Sequence, residues 1–235
     1  MLSVNRFSPH VNAETKTTSL ASLATAATPS SANARAQRLD YLDNLRSFLT
    51  VLVVGHHAAL AYTVFPTGWT VSDSARTSAL TPFISLNAMF FMGLFFFLAG
   101  YFTVPSLDRK GTKRFLADRC LRLGCPSLAW LAYNLIARGS FEFWHMWFAC
   151  DLLFISLLYS GFHALRAGIP RPAATAFPRI GTVLLLVVLL ALATATVRGW
   201  YPIGTWVSLL GVFPLEPAHA VQYVVCFTLG VVTQR

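Results

Sequence analysis

Arg46 and His57 stand eleven residues apart in the run LRSFLTVLVVGHHAALAY, which is otherwise almost wholly apolar. On a helix, eleven residues turn through about 1100°, three turns and roughly 20°, so the two side chains share a face. At 1.5 Å per residue they lie about 16 Å apart along the axis, close to half the roughly 30 Å of a bilayer's hydrocarbon. An imidazole titrates near working pH, so a neutral one at depth has the chemistry of a general base towards a hydroxyl. A lone Arg at such a boundary is ordinarily an anchor that snorkels to the interface; its alignment with a histidine at depth favours function instead. Asp43, one turn earlier, belongs to the same set. His56 points about 100° away and is the weaker candidate.

A second set is Arg119 and Arg122, with Lys113 and Arg114 close by. Three residues apart, the two arginines share a helical face, and two guanidinium forks make a good clamp for phosphate. On the residues alone, simple topogenic charge is the favoured reading of this pair. Asp151 lies inside another apolar run, where an ionisable side chain is costly, and is a candidate internal partner for one of these bases. His145 and Trp147 fall where that run meets an interface, as an aromatic belt requires. The four cysteines show no paired metal-ligand spacing and read as buried free thiols. No metal site and no bound cofactor is expected.

The elements that must position these groups follow from composition. Hydrophobic residues make up 55% of the 235 and charged residues 11%, with 19 Phe and a mean hydropathy of +0.58. That is too little charge to solvate a soluble fold of this size, and it excludes disorder and a routine cytosolic enzyme. The net charge of +9 would suggest nucleic acid in a soluble protein, but here the bases lie between apolar runs, as they do in loops facing anionic lipid. The expected class is all-α, a polytopic membrane helix bundle. Ser47–Phe65, Phe83–Val104, Phe143–Leu165 and Ile180–Val197 are long enough to span, Gly124–Ala137 and His219–Gln234 are shorter candidates, and Ile203–Leu215 reads as an interfacial or re-entrant piece. Six spans result. The stretches 105–123 and 166–179 carry nine Lys and Arg, against one each in the three intervening connections (Arg76, Arg138, Arg198), which puts both termini in the cytoplasm. Half of residues 1–38 are Ser, Thr or Ala, a composition that reads as a disordered tail, with a cleaved transit peptide as the second reading.

These residues carry a resemblance. RLDYLDNLRSFLTVLVVGHHAALAY (38–62) resembles the opening helix of the membrane-bound acyltransferase 3 family, in which an Arg or Lys precedes a catalytic His by the spacing of Arg46 and His57. FFFLAGYF (95–102) is similar to the family's second helix, with Ala99 where Ser is usual. RFLADRCLRLGCP (114–126) resembles its RxxR motif at Arg119 and Arg122, and FWHMWFACDLLFISLLY (143–159) its next span. The wording is nearest the branch with glucan-modifying succinyltransferase-like and fungal members. The resemblance implies a domain over 39–235 that moves an acyl group from acyl-CoA, as co-substrate, to a hydroxyl of a carbohydrate or similar acceptor. Arg119 and Arg122 would hold the donor's phosphates, Arg46 would help orient it, and His57 would act as base or acyl relay. The family has more spans than are seen here, so the chain reads as an incomplete domain, a shortened product or half of an assembly. A catalytically inactive membrane scaffold or accessory subunit is the alternative. A transporter is disfavoured because no pair of Gly/Pro-interrupted half-helices is evident.

Overall fold

The computed structural model describes residues 31–64, 71–141, 143–166, 178–209 and 213–234. They form α1 (Ser31–Leu60), α2 (Thr81–Arg119), α3 (Cys125–Arg138), α4 (Trp147–Leu165), α5 (Ile180–Trp200), the strands β1 (Val207–Leu209) and β2 (Phe213–Leu215), and α6 (Pro217–Thr233). Residues 1–30 of the expected tail, Phe65, Arg171 and Arg235 lie outside the described residues. Met1–Leu45 and Arg46–Arg235 are separate compact units. The first includes Asp43, which is exposed; the packing that follows belongs to the second.

The Phe-rich α2 is the organising helix. Arg46 of α1 sits over the Phe102 ring, His56 packs on Phe91 and, just beyond α1, the Thr63 hydroxyl lies 3.5 Å from that of Thr81, so residues 46–60 of α1 run antiparallel to residues 81–102 of α2. Against α6, Gln222 Nε2 donates to Met89 O at 2.9 Å and Phe227 abuts Gly100, so α2 and α6 are parallel. Gly100 and Gly230 bring these two backbones into direct contact. A Cβ on Gly100 would stand 2.9 Å from the Phe227 carbonyl carbon, and one on Gly230 2.8 Å from Tyr101 N. The contacts Trp147–Tyr223 and Tyr159–Phe227 orient α4 the same way as α6. Helix α5 turns back to α6, where Arg198 Nε donates to Ala218 O at 3.3 Å, and none of its residues is buried. A helix apolar on every side and unburied is one that faces lipid or another apolar surface.

Among the described residues, three helical stretches are long and apolar enough to cross a membrane, namely Ser78–Arg138, Trp147–Leu165 and Ile180–Trp200, and Pro217–Thr233 is a shorter apolar helix. One segment differs from the sequence reading. The basic stretch 105–123, expected as a loop, is helical: α2 continues to Arg119 and reverses at Gly111, whose φ of 74° and ψ of 162° only glycine adopts readily. Charge keeps such a segment out of hydrocarbon but does not break a helix, and Leu107 and Phe115 give it a buried face. Within the piece 203–215, β1 and β2 pair antiparallel, with Val207 opposite Leu215 and Leu209 opposite Phe213, so the described residues there are partly extended and not helical.

Candidate active site

The reversal at Gly111 brings the second arm of α2 back along the first. Lys110 and Asp118 form an ion pair across it, and the Lys110 hydrogen bond holds the Asp118 carboxyl below its usual range. Eight residues beyond Gly111, Arg119 reaches back to Thr103, eight residues before it. Its Nη2 donates to Thr103 Oγ1 at 3.2 Å, and its guanidinium lies 5.1 Å from the Phe115 ring centre. Thr103 is fully buried and its own hydroxyl donates to Ala99 O at 2.7 Å, which fixes the lone pairs that face Arg119. Arg46 sits 5.7 Å from the centroid of Phe102, the neighbour of Thr103. Arg46 and Arg122 both act electrostatically on Arg119, so the three guanidiniums form one positively charged group.

The chain leaves this cluster through a π-helical turn, Cys120–Gly124, in which Cys125 N–H bonds Cys120 O. Pro126 explains it: with no N–H, and with a ring that collides with the carbonyl four residues back, it cannot extend the α-ladder. The turn leaves Arg119 half-buried and Arg122 exposed, so the two arginines differ in environment despite their spacing. Cys120 and Cys125, in and beside it, are exposed, while Cys150 is buried; the expectation of buried thiols holds for Cys150 and fails for these two.

Three turns of α1 away, the histidines divide. His57, half-buried, bonds through Nδ1 to Val53 O at 2.8 Å. A carbonyl only accepts, so Nδ1 carries a proton, and in the neutral tautomer the basic lone pair belongs to Nε2. His56, expected to point elsewhere and matter less, is the buried one, at 8% exposure. Its ring lies 4.9 Å from Phe91 and edge-on to His57 at 5.7 Å, and its Nδ1 has no hydrogen-bond partner.

Asp151 is buried in α4, its Oδ2 without a partner. It meets neither arginine; its electrostatic neighbours are Cys150 and Tyr223. The sequence reading also missed a polar group near that end of α6. His219 Nδ1 lies 2.9 Å from Glu216 Oε2, and Gly204 N–H donates to Glu216 Oε1 at 2.7 Å. Burial raises the Glu216 carboxyl, but His219 and Gly204 outweigh it and hold the group below its ordinary range. His219 stacks on Tyr223, which stacks on Trp147 and Phe96. A Glu and a His three residues apart straddling the start of an apolar helix were the available signal. Thr103 gave none, because its partner lies sixteen residues away across a reversal.

The acyltransferase domain model of the acyltransferase 3 family matches residues 39–235. The chain belongs to the acyltransferase 3 family. It is 26% identical over 188 residues to glucans biosynthesis protein C of Salmonella schwarzengrund (strain CVM19633), a match that covers 66% of this chain and 47% of that protein. The chain thus spans about half the length of this curated relative. No solved structure matches it. Within this acyltransferase 3 chain, the family match takes in Arg46, His57, Arg119 and Arg122 together.

Proposed function

We propose that this acyltransferase 3 chain moves an acyl group from acyl-CoA to a hydroxyl of a carbohydrate or similar acceptor, within a multi-pass membrane bundle of six spans whose termini face the cytoplasm. The observation that carries the proposal is the placement of Arg46 and Arg119 at the level of Phe102 and Thr103, within electrostatic reach of Arg122 and about 16 Å along α1 from His57. CoA is a polyanion with a long, slender pantetheine arm. Its phosphates suit the guanidinium cluster, and the arm has the reach to bring the thioester to the histidine. His57 Nε2 takes the acceptor's proton as the hydroxyl oxygen attacks the thioester carbon, and returns it to the departing thiolate; an acyl relay through the same nitrogen is the other route. The parallel course of α2, α4 and α6 supports an alternating six-span path, since spans two, four and six must run the same way. The name of the Salmonella relative supports a glucan as the acceptor class.

The test uses the full chain reconstituted in liposomes with labelled acetyl- or succinyl-CoA and a glucan oligosaccharide. His57→Ala should abolish transfer while membrane insertion is unchanged, and Arg119→Ala with Arg122→Ala should raise KM for the donor at least tenfold. Full activity in the His57 variant would sink the role of that residue. Unchanged donor KM in the arginine pair would sink the phosphate clamp.

A further inference from the structure

Two buried polar groups without partners stand on the stretches of α1 and α2 that Phe83 and Phe91 bring together. His56 Nδ1 and Asn87 Nδ2 are both buried without a hydrogen-bond partner, in residues only 8% and 4% exposed. Asn87 stands four residues after Phe83 and four before Phe91, so the three share one face of α2. That face meets α1 at its histidines: Phe83 comes within 3.7 Å of where a Cβ on Gly55 would stand, and Phe91 packs on His56 at 4.9 Å. Asn87 is therefore bracketed along α2 by the two residues that meet 55–56 of α1. A buried amide donor left unpaired costs free energy anywhere, and most in a membrane bundle, where no bulk water relieves it. Such a group fits a site whose partner arrives with the reaction.

We infer that Asn87 Nδ2, together with His56 Nδ1, forms the hydrogen-bonding recess for the acyl carbonyl oxygen, and that Asn87 is a further catalytic residue. The inference rests on the acyl-transfer reading above. When the acceptor oxygen bonds to the thioester carbon, the carbonyl π pair moves to its oxygen and the hydroxyl proton goes to His57 Nε2. The oxyanion is then held by the amide N–H, in a medium where such a donor acts strongly. Collapse restores the C=O, breaks the C–S bond and sends the proton from His57 to the thiolate. Atoms and charge balance without another reactant.

The near-isosteric Asn87→Leu removes the donor and also the unsatisfied group. It should leave thermal stability in detergent equal or higher and KM for acyl-CoA within about twofold, while kcat falls about 10²- to 10³-fold. Asn87→Ser, which keeps a smaller donor, should recover part of the loss. A second readout needs no turnover. In difference infrared spectra, acetyl-CoA labelled with ¹³C at the carbonyl should show a lowered C=O stretch when bound to the wild type, and much less lowering in Asn87→Leu. If Asn87→Leu keeps kcat within fivefold, or shows the wild-type carbonyl shift, the recess is refuted while the acyl-transfer reading stands. If stability and kcat collapse together in both variants, Asn87 is structural and the inference falls. Failure of the wild type to bind or use acyl-CoA refutes the functional reading, and this inference with it.

Discussion

Gly100→Ala tests the packing that holds the bundle in register. A Cβ at this position would stand 2.9 Å from the Phe227 carbonyl carbon and 3.2 Å from Phe227 Cα, with the carbonyl oxygen closer still, whereas ordinary contact begins at 3.4 Å. The obstacle is backbone, so no rotamer change relieves it. The α2 and α6 axes must part by roughly 0.5 Å judged on the carbonyl carbon, and by more judged on the oxygen. A gap of about 0.5–1 Å forfeits a quarter to a half of each dispersion contact along the interface. Overpacked cores lose about 1–3 kcal/mol, and a rigid obstacle puts this site at the upper end, about 3 kcal/mol. Separation would also stretch the Gln222–Met89 hydrogen bond and the Phe96–Tyr223 stack. The assay is reversible unfolding in mixed micelles titrated with SDS. Gly230→Ala meets Phe97 and Tyr101 backbone from the other side and should cost a similar amount. Because one separation relieves both clashes, the double variant should lose well under the sum of the singles. A Gly100→Ala protein within about 0.5 kcal/mol of wild type, against the overpacking cost expected here, would refute the close-packed α2–α6 interface.

The remaining predictions concern the arginine end and the polar group near Glu216. Thr103→Val removes the hydroxyl that receives Arg119; a hydrogen bond to a charged group contributes about 1.5–3 kcal/mol, so KM for acyl-CoA should rise about tenfold or more with little change in kcat, read from initial rates at varied donor. At Gly111→Ala no atom obstructs the new methyl, so the cost is backbone strain alone, about 1–3 kcal/mol, seen as an earlier SDS unfolding midpoint together with a raised donor KM. The Glu216 carboxyl is held below its ordinary value of 4.5, so the stability it contributes is present above about pH 4.5 and is lost as pH falls through its lower folded-state value. Thermal unfolding at pH 7 and pH 3.5 should therefore show a smaller acid-induced loss for Glu216→Gln than for wild type.

Much of the helical framework was legible because local rules fix it. The apolar runs at 83–104, 143–165, 180–197 and 219–234 correspond to helices in α2, α4, α5 and α6, since chain length and hydropathy alone decide which segments can bury their backbone polar groups in helices. The paired strands at 207–209 and 213–215 were not legible, because a three-residue strand leaves almost no periodicity to read.

By itself the sequence determined the axial spacing of Arg46 and His57, which depends only on the rise and pitch of one helix, and the basic character of the segment holding Arg119 and Arg122. Tertiary structure decided which groups meet. Arg119 reaches Thr103 only because the chain reverses at Gly111, and no local signal pairs residues sixteen apart across a turn. It also decided that His56, and not His57, faces the interior. The run around them is apolar on nearly every side, so nothing within α1 specifies its rotation; that phase is set by where Phe83 and Phe91 of α2 press against it.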